Sequence, residues 1–280
     1  MQLGYVVEYS SPTRRSDETS VSSSVDTSAA SEFRFYEELN DFLPPAVRKR
    51  TFSYRFRGTP AVKHVIEAIG VPHTQVDLIL VNGRPVRFSH KLHGGERVAV
   101  YPTFERFDIA PVIRLRPAPL RTPKFVADVH LGTLARNLRL LGFDTRYDDR
   151  LDDRALVRSS VEEHRILLTR DRELLKHKAL THAYFVRGTR PDLQLREVVK
   201  ALDLGGKMKP FSRCMKCNGK LRNVAKRSIA TIVPAQVFAR TQQFVRCIDC
   251  HRVYWPGSHA QSLSRIVADS LDALTQRVKQ

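Results

Sequence analysis

The sequence predicts an α/β fold class: a central parallel sheet with helices on both faces, preceded by a small α+β domain and followed by a cysteine-stapled module. Three observations predict it. Strand and helix patterns alternate over residues 124–204, the order strand, strand, helix, strand, strand fills 31–103, and four cysteines fall in two C-x-x-C pairs. At 280 residues the chain has room for such a set of units, each with its own core. Its net charge of +18 points to a polyanionic partner. No run of about 18 apolar residues is present, which excludes a membrane-spanning helix. The N-terminus lacks the basic start and apolar core of a secretory signal, so a cytoplasmic location is expected.

Residues 1–30 are serine-rich and read as a disordered tail, with "LGYVVEY" as a short strand candidate within it. In the domain 31–103, "EFRFYEELNDFLP" reads as a strand running into a short segment. "TFSYRFRG" alternates as a second strand, with Phe52, Tyr54 and Phe56 on one face. A helix follows in "TPAVKHVIEAIGVP": Thr59 is its expected cap, Pro60 its first residue, Val62, Val65, Ile66 and Ile69 its stripe, and Gly70 its end. "VDLILVNGRPV" enters an Asn82-Gly83 hairpin turn, and "GERVAVYP" is the last strand. This order resembles the ubiquitin-like β-grasp fold, specifically the small sulfur carriers. Those carriers need a free C-terminal Gly-Gly. Here Gly94-Gly95 lies inside a loop, so the domain reads as a module for binding or scaffolding, with a protein as its partner. Residues 104–123 are Pro-rich and read as an extended linker.

The domain 124–206 begins with the strand "KFVAD" and a helix carrying Leu131, Leu134, Ala135, Leu138 and Leu141. "FDTRY", "RILLTRD" and "AYFVRG" are the further strands. "DDRALVRSSVEEH", "RELLKHKAL" and "PDLQLREVVKALDL" are the further helices. In such sheets the functional crevice lies at the carboxyl ends of the strands. Asp128 ends the first strand, Asp148 and Asp149 follow the second, Asp152 and Asp153 open the next helix, and Asp171 ends the third strand. Carboxylates gathered there suit magnesium or manganese, hard cations that can activate a water for attack on a phosphodiester. The plainer reading makes Asp153 and Asp171 helix N-caps.

The stretch "FVADVHLGTLARNLRLLGFDT…LDDRALVRSSVEEHRILLTRDREL" closely resembles the C-terminal RNase domain first described in the Mut-7 exonuclease, a PIN-like nuclease family. The matching features are Asp128 after the first strand, Leu134-Ala135-Arg136 through Asp144-Thr145, Asp153, and Asp171. The resemblance spans roughly residues 124–256, and members often carry a ubiquitin-like domain in front. It implies metal-dependent RNA cleavage, with Asp128, Asp153 and Asp171 as magnesium or manganese ligands and Asp149 or Asp148 as a supplementary one. PIN nucleases carry a further acid on an early helix, whereas "HLGTLARNLRLL" has none; Asp192 could supply it or merely begin a helix.

Cys214, Cys217, Cys247 and Cys250 form two knuckles suited to one structural zinc in a ribbon spanning 207–257. "CIDCH" also fits c-type haem attachment, a reading that leaves Cys214 and Cys217 without a role. Eleven Lys or Arg residues and one acid, Asp249, lie between 207 and 255. Arg213, Lys216, Lys220, Arg222, Lys226 and Arg227 are therefore expected to contact RNA phosphates, whether of tRNA, rRNA or the ribosome. Phe244, Tyr254 and Trp255 could stack on bases or pack beneath the zinc. A C-terminal helix is expected over 258–280. The function read from these features is a metal-dependent ribonuclease; the rival is a non-catalytic adaptor for RNA or the ribosome.

Overall fold

The computed structural model describes residues 28–102, 122–256 and 264–270. The chain divides into two units, Met1–Pro117 and Ala118–Gln280.

In the first unit a five-stranded mixed sheet has the order β2-β1-β5-β3-β4. Its strands are β1 (Ser28–Phe35), β2 (Phe52–Arg57), β3 (Val76–Val81), β4 (Arg84–Pro85) and β5 (Arg97–Pro102). β1 and β5 run parallel and the other neighbours antiparallel, as the β-grasp order requires. Phe33 and Phe35 are buried, and the expected face of β2 is covered progressively from Phe52 and Tyr54 to the buried Phe56. Helix α1 (Val62–Ile69) adds Val62, Val65 and Ile66 to this core and ends at Gly70 with φ 116°.

Thr59 does not cap α1, and Pro60 is not its first residue. Ala61 occupies the cap position without a side-chain bond. The reason is a competing pairing: Leu92 donates to the Pro60 carbonyl (3.0 Å), Val62 donates to that of His90 (2.7 Å), and Ala61 bridges Lys91. The chain stays extended until those bonds end. Gly94 and Gly95 both have positive φ, and a Cβ on Gly94 would lie 2.8 Å from that of Ala29. This Gly-Gly pair is a turn packed against β1. Strand β1 starts three residues before the expected boundary at 31. The remainder of the tail, with "LGYVVEY", and nearly all of the expected linker lie outside the described residues.

In the second unit four parallel strands have the order β7-β6-β8-β9: β6 (Lys124–Ala127), β7 (Asp144–Arg146), β8 (Ile166–Thr169) and β9 (Ala183–Phe185). Helices α2 (Gly132–Leu140) and α4 (Pro191–Ala201) share a core with Phe125, Ala127, Ile166 and Leu168. The alternate residues Val126 and Leu167 face the other side, where α3 (Asp153–Glu162) buries Leu156 and Val157. Helices therefore cover both faces, as expected for an all-parallel sheet.

"RELLKHKAL" does not form a helix; a single 3-10 turn, Leu174–Lys176, stands in its place. Leu174, Leu175 and Leu180 are all buried. At about 100° per residue these positions point in widely separated directions around a helix, so a loop buries them where one helical face could not. The C-terminal module is a three-stranded antiparallel sheet of β10 (Leu221–Val224), β11 (Phe244–Cys247) and β12 (Val253–Tyr254), with α5 (Ala235–Arg240) between the first two. Of the expected helix over 258–280, residues 264–270 are described; they are helical, and Ile266 and Val267 pack on the core of the parallel sheet.

The module is seated on the end of α2. Lys209 and Phe211 donate to the carbonyls of Leu141 and Leu140, both at 2.9 Å, occupying acceptors that a helix C-terminus leaves open. Gly142 makes this approach possible: its φ is +93°, and an added Cβ would fall 2.7 Å from the Lys209 carbonyl carbon and the Ser212 Oγ. Gly142→Ala should therefore cost more than about 2 kcal/mol of stability, from backbone strain and collision together. Urea unfolding checks this, and a variant as stable as the wild type would contradict it.

Candidate carboxylate and cysteine sites

Asp128 leaves β6 in ladder geometry, its amide donating to Leu168 O at 3.0 Å. It is 6% exposed. Its side chain makes no capping bond to the 3-10 turn Val129–Leu131 that follows. Instead Oδ2 accepts a hydrogen bond from the buried Thr169 hydroxyl at 2.7 Å, and that same hydroxyl accepts from the Asp171 amide at 2.9 Å. Thr169 thus ties the ends of β6 and β8 together and orients the Asp128 carboxylate.

The other aspartates are placed as follows. Asp171 is exposed, and its Oδ1 accepts from the amides of Glu173 (2.7 Å) and Leu174 (3.3 Å), a local turn bond in place of the expected helix cap, since Glu173 stands at the cap of the Leu174–Lys176 turn. Asp153 is not the cap of α3. That residue is Asp152, whose Oδ1 accepts from the Ala155 amide at 2.8 Å, and Asp153 is the exposed first residue of the helix. Asp148 is held by Arg150 at Nε (3.0 Å) and Nη2 (2.9 Å), which brings its carboxyl down to about 2; Asp149 is exposed. Asp192 lies in the first turn of α4, bound to Arg190, whose guanidinium holds the carboxyl below the usual carboxylate range. It begins a helix. The structure therefore links Asp128 with Asp171 through Thr169. Among the described residues, Asp128, Asp153 and Asp171 do not converge as a close ligand group.

The cysteines do converge. The four Sγ atoms lie within 4.8 Å of one another, with Cys214 and Cys250 at 3.6 Å and Cys217 and Cys247 at 3.4 Å. An ion bonded tetrahedrally to sulfur at about 2.3 Å would separate its ligands by about 3.8 Å, so the set could bind zinc. Burial raises the Cys214 thiol, but the Tyr254 hydroxyl at 3.0 Å and backbone amides bring it down to about 7. Tyr254 therefore serves the cysteine site. Phe244 is buried in the ribbon core, and Trp255 tilts against it with ring centroids 6.4 Å apart.

The first knuckle is bound to the open edge of β7. The Asn218 side chain accepts from the Thr145 amide (3.0 Å), and Arg139 Nε donates to the Thr145 carbonyl (2.9 Å). Arg139, 5% exposed, also donates through Nη1 to the carbonyls of Met215 (3.2 Å) and Lys216 (2.9 Å) in the knuckle. Asp144 gathers Arg165 (2.7 Å), Asn218 (2.8 Å) and Arg213 (3.2 Å). Burial pushes the Asp144 carboxyl up, but Arg165, Asn218 and Arg213 outweigh it and hold the group below the usual carboxylate range. Sequence reasoning assigned no role to Arg139, Asp144, Arg165 or Asn218. The available signal was an arginine on the apolar side of α2, beside an Asp-Thr pair within the resemblance motif.

Arg213, expected to contact RNA, is half-buried, and its guanidinium donates to Asp144 and the Asn218 carbonyl. Lys216, Lys220, Arg222 and Arg227 are exposed, while Lys226 is half-buried with its ammonium 4.8 Å from the Phe238 ring centroid. Near Asp128, the Tyr147 hydroxyl donates to the Val129 carbonyl at 3.0 Å, connecting the segment after β7 to the carboxylate edge.

Because the Asp144 carboxyl titrates lower in the folded state than in the unfolded chain, its stabilising contribution is present above the unfolded value and lost as pH falls through the folded one. Asp144→Asn should be less stable than the wild type by about 2 kcal/mol near pH 7, with the gap closing below about pH 4. Denaturant midpoints measured across pH test this; a pH-independent difference would contradict it.

Among the described residues no helix is long and apolar enough to cross a membrane. No curated protein and no solved structure is matched by the chain. A family model for the Mut7-C ubiquitin domain matches residues 28–108, and one for the Mut7-C RNAse domain matches 123–267, about half of the chain and both of the folded modules of its second unit. With this order of domains, and a parallel sheet carrying Asp128 at its carboxyl edge, the chain belongs to the Mut7-C RNAse domain family.

Proposed function

We propose that the protein is a metal-dependent ribonuclease whose carboxylate edge binds magnesium or manganese and whose ribbon holds RNA. The observation that carries this reading is Asp128. A carboxylate only 6% exposed, forming no ion pair among the described residues and capping nothing, is costly to bury unless a cation joins it. Its hard oxygen donors suit Mg²⁺ or Mn²⁺. Asp128 would hold the ion with Asp171, and with Asp153 and Asp149 or Asp148 from the neighbouring loop and helix. The bound ion would supply Lewis acidity and an activated water. The chain's own part is to orient Asp128 through Thr169 and to offer a cationic surface for the RNA backbone. A second reading, a non-catalytic RNA adaptor, is favoured by the absence of any acid on α2.

Asp128→Asn should reduce manganese-dependent RNA cleavage by about a hundredfold or more, since several kcal/mol of transition-state stabilisation depend on the ion. Its melting temperature without added divalent metal should hold steady or rise, because Asn can still accept from Thr169. Stabilisation by added manganese should shrink. Wild-type protein with neither cleavage nor manganese stabilisation would move the assignment to the adaptor.

We also propose that the four cysteines hold one structural zinc. Metal analysis should find about one zinc per chain, and Cys214→Ser or Cys247→Ser should lose it and destabilise the ribbon. Haem absorption or stoichiometric iron would overturn this assignment.

A further inference from the structure

Within the ribbon, Arg222 on β10 and Arg246 on β11 are direct cross-strand partners, and Val253 on β12 continues the same row. Direct partners in an antiparallel pair lie on one face with Cβ atoms about 5 Å apart, where like charges repel. Among the described residues neither guanidinium is bound to a carboxylate, and Asp249, the one acid in the basic stretch, packs against Gly219 in the knuckles. The rung adjoins Val224 and Phe244, two positions along on the same face, so the aliphatic stems can cover the small apolar core while the heads reach water. Arg246 is half-buried and its Nε donates to the His251 carbonyl at 3.1 Å, which fixes the direction of its fork. Arg222 is exposed, as are Lys220 and Arg252 at neighbouring positions.

Resting on the reading that the ribbon holds RNA, we propose that Arg222 and Arg246 form a clasp for a single backbone phosphate of RNA. Two planar forks held a cross-strand spacing apart can converge on the two non-bridging oxygens of one phosphodiester, each as a charge-assisted donor pair. The bound phosphate neutralises the repulsion that the bare rung carries. Arg246, which was not among the expected RNA contacts, becomes one of the two central groups.

The test uses the full chain and a fluorescently labelled 20-nucleotide oligo(U), with binding read by anisotropy across a potassium chloride series without added divalent metal. Arg222→Gln and Arg246→Gln should each weaken binding with little change in the log–log salt slope, since the remaining arginine still neutralises the shared phosphate. The double variant should lose about 0.7, the value for one lost single-strand phosphate contact. The double Lys variant should keep the slope but bind more weakly, having charge without the fork. Without RNA, added salt should raise the melting temperature of the wild type more than that of the double Gln variant, since only the wild type carries the like-charge rung. Wild-type slope and affinity in the double Gln variant, a slope loss in it of about 1.4 as for two separate phosphates, or no RNA binding by the wild type would each overturn the clasp. So would an equal salt dependence of the two melting temperatures, or rung-dependent binding of polyglutamate with none for RNA. Cleavage is read separately. Rung-dependent binding without cleavage would retain the clasp and remove the ribonuclease reading, while cleavage with an unchanged slope would remove the clasp alone.

Discussion

The hydrogen bonds that close the outer edge of β7 constrain the whole second unit. β7 is the last strand of its sheet, and Thr145 would otherwise present an amide and a carbonyl to solvent or to another chain. Asn218 takes the amide and Arg139 the carbonyl. A buried arginine is tolerated there because its remaining donors find knuckle carbonyls, and the half-buried Asp144 because two arginines and an asparagine reach it. The covered edge has consequences along the chain: β7 leads into Tyr147, whose hydroxyl holds the backbone beside Asp128.

Two sites with different chemistry follow. The soft, convergent thiols fit a closed site in which a metal contributes folding energy. At the sheet edge the donors are hard oxygens on separate elements, with only Asp128 and Asp171 linked, through one hydroxyl. Among the cationic side chains of the ribbon, Arg213 is committed to Asp144.

Much of this was legible in the sequence because the signals were periodic or covalently local. Alternation in "TFSYRFRG" gave the buried face of β2, the leucine spacing gave α2, and C-x-x-C spacing gave the thiol cluster. Failures arose where a distant segment competed. Thr59 and Pro60 carry helix-start chemistry, but pairing with residues 90–92 keeps them extended. The leucines of 174–180 suggested a helix until their burial required three different directions. Asp152 and Asp153 are equivalent as cap candidates in a linear reading, and only the backbone path selects Asp152. The bonds from Arg139 to the Met215 and Lys216 carbonyls join residues on opposite sides of the parallel sheet in sequence, and no local pattern announces them.

The covered edge of β7 also bears on what counts as one inheritable piece of this protein. A boundary drawn near residue 206 falls in a seam, where a strand's outward backbone groups and a buried guanidinium depend on residues 213–218. Cutting there would leave an unpaired parallel edge open to self-association and a cation facing vacated acceptors. A sheet and ribbon joined in this way share the bonds that finish the sheet, so the two are one structural piece. The span of the matched family domain, 123–267, runs through both without a break.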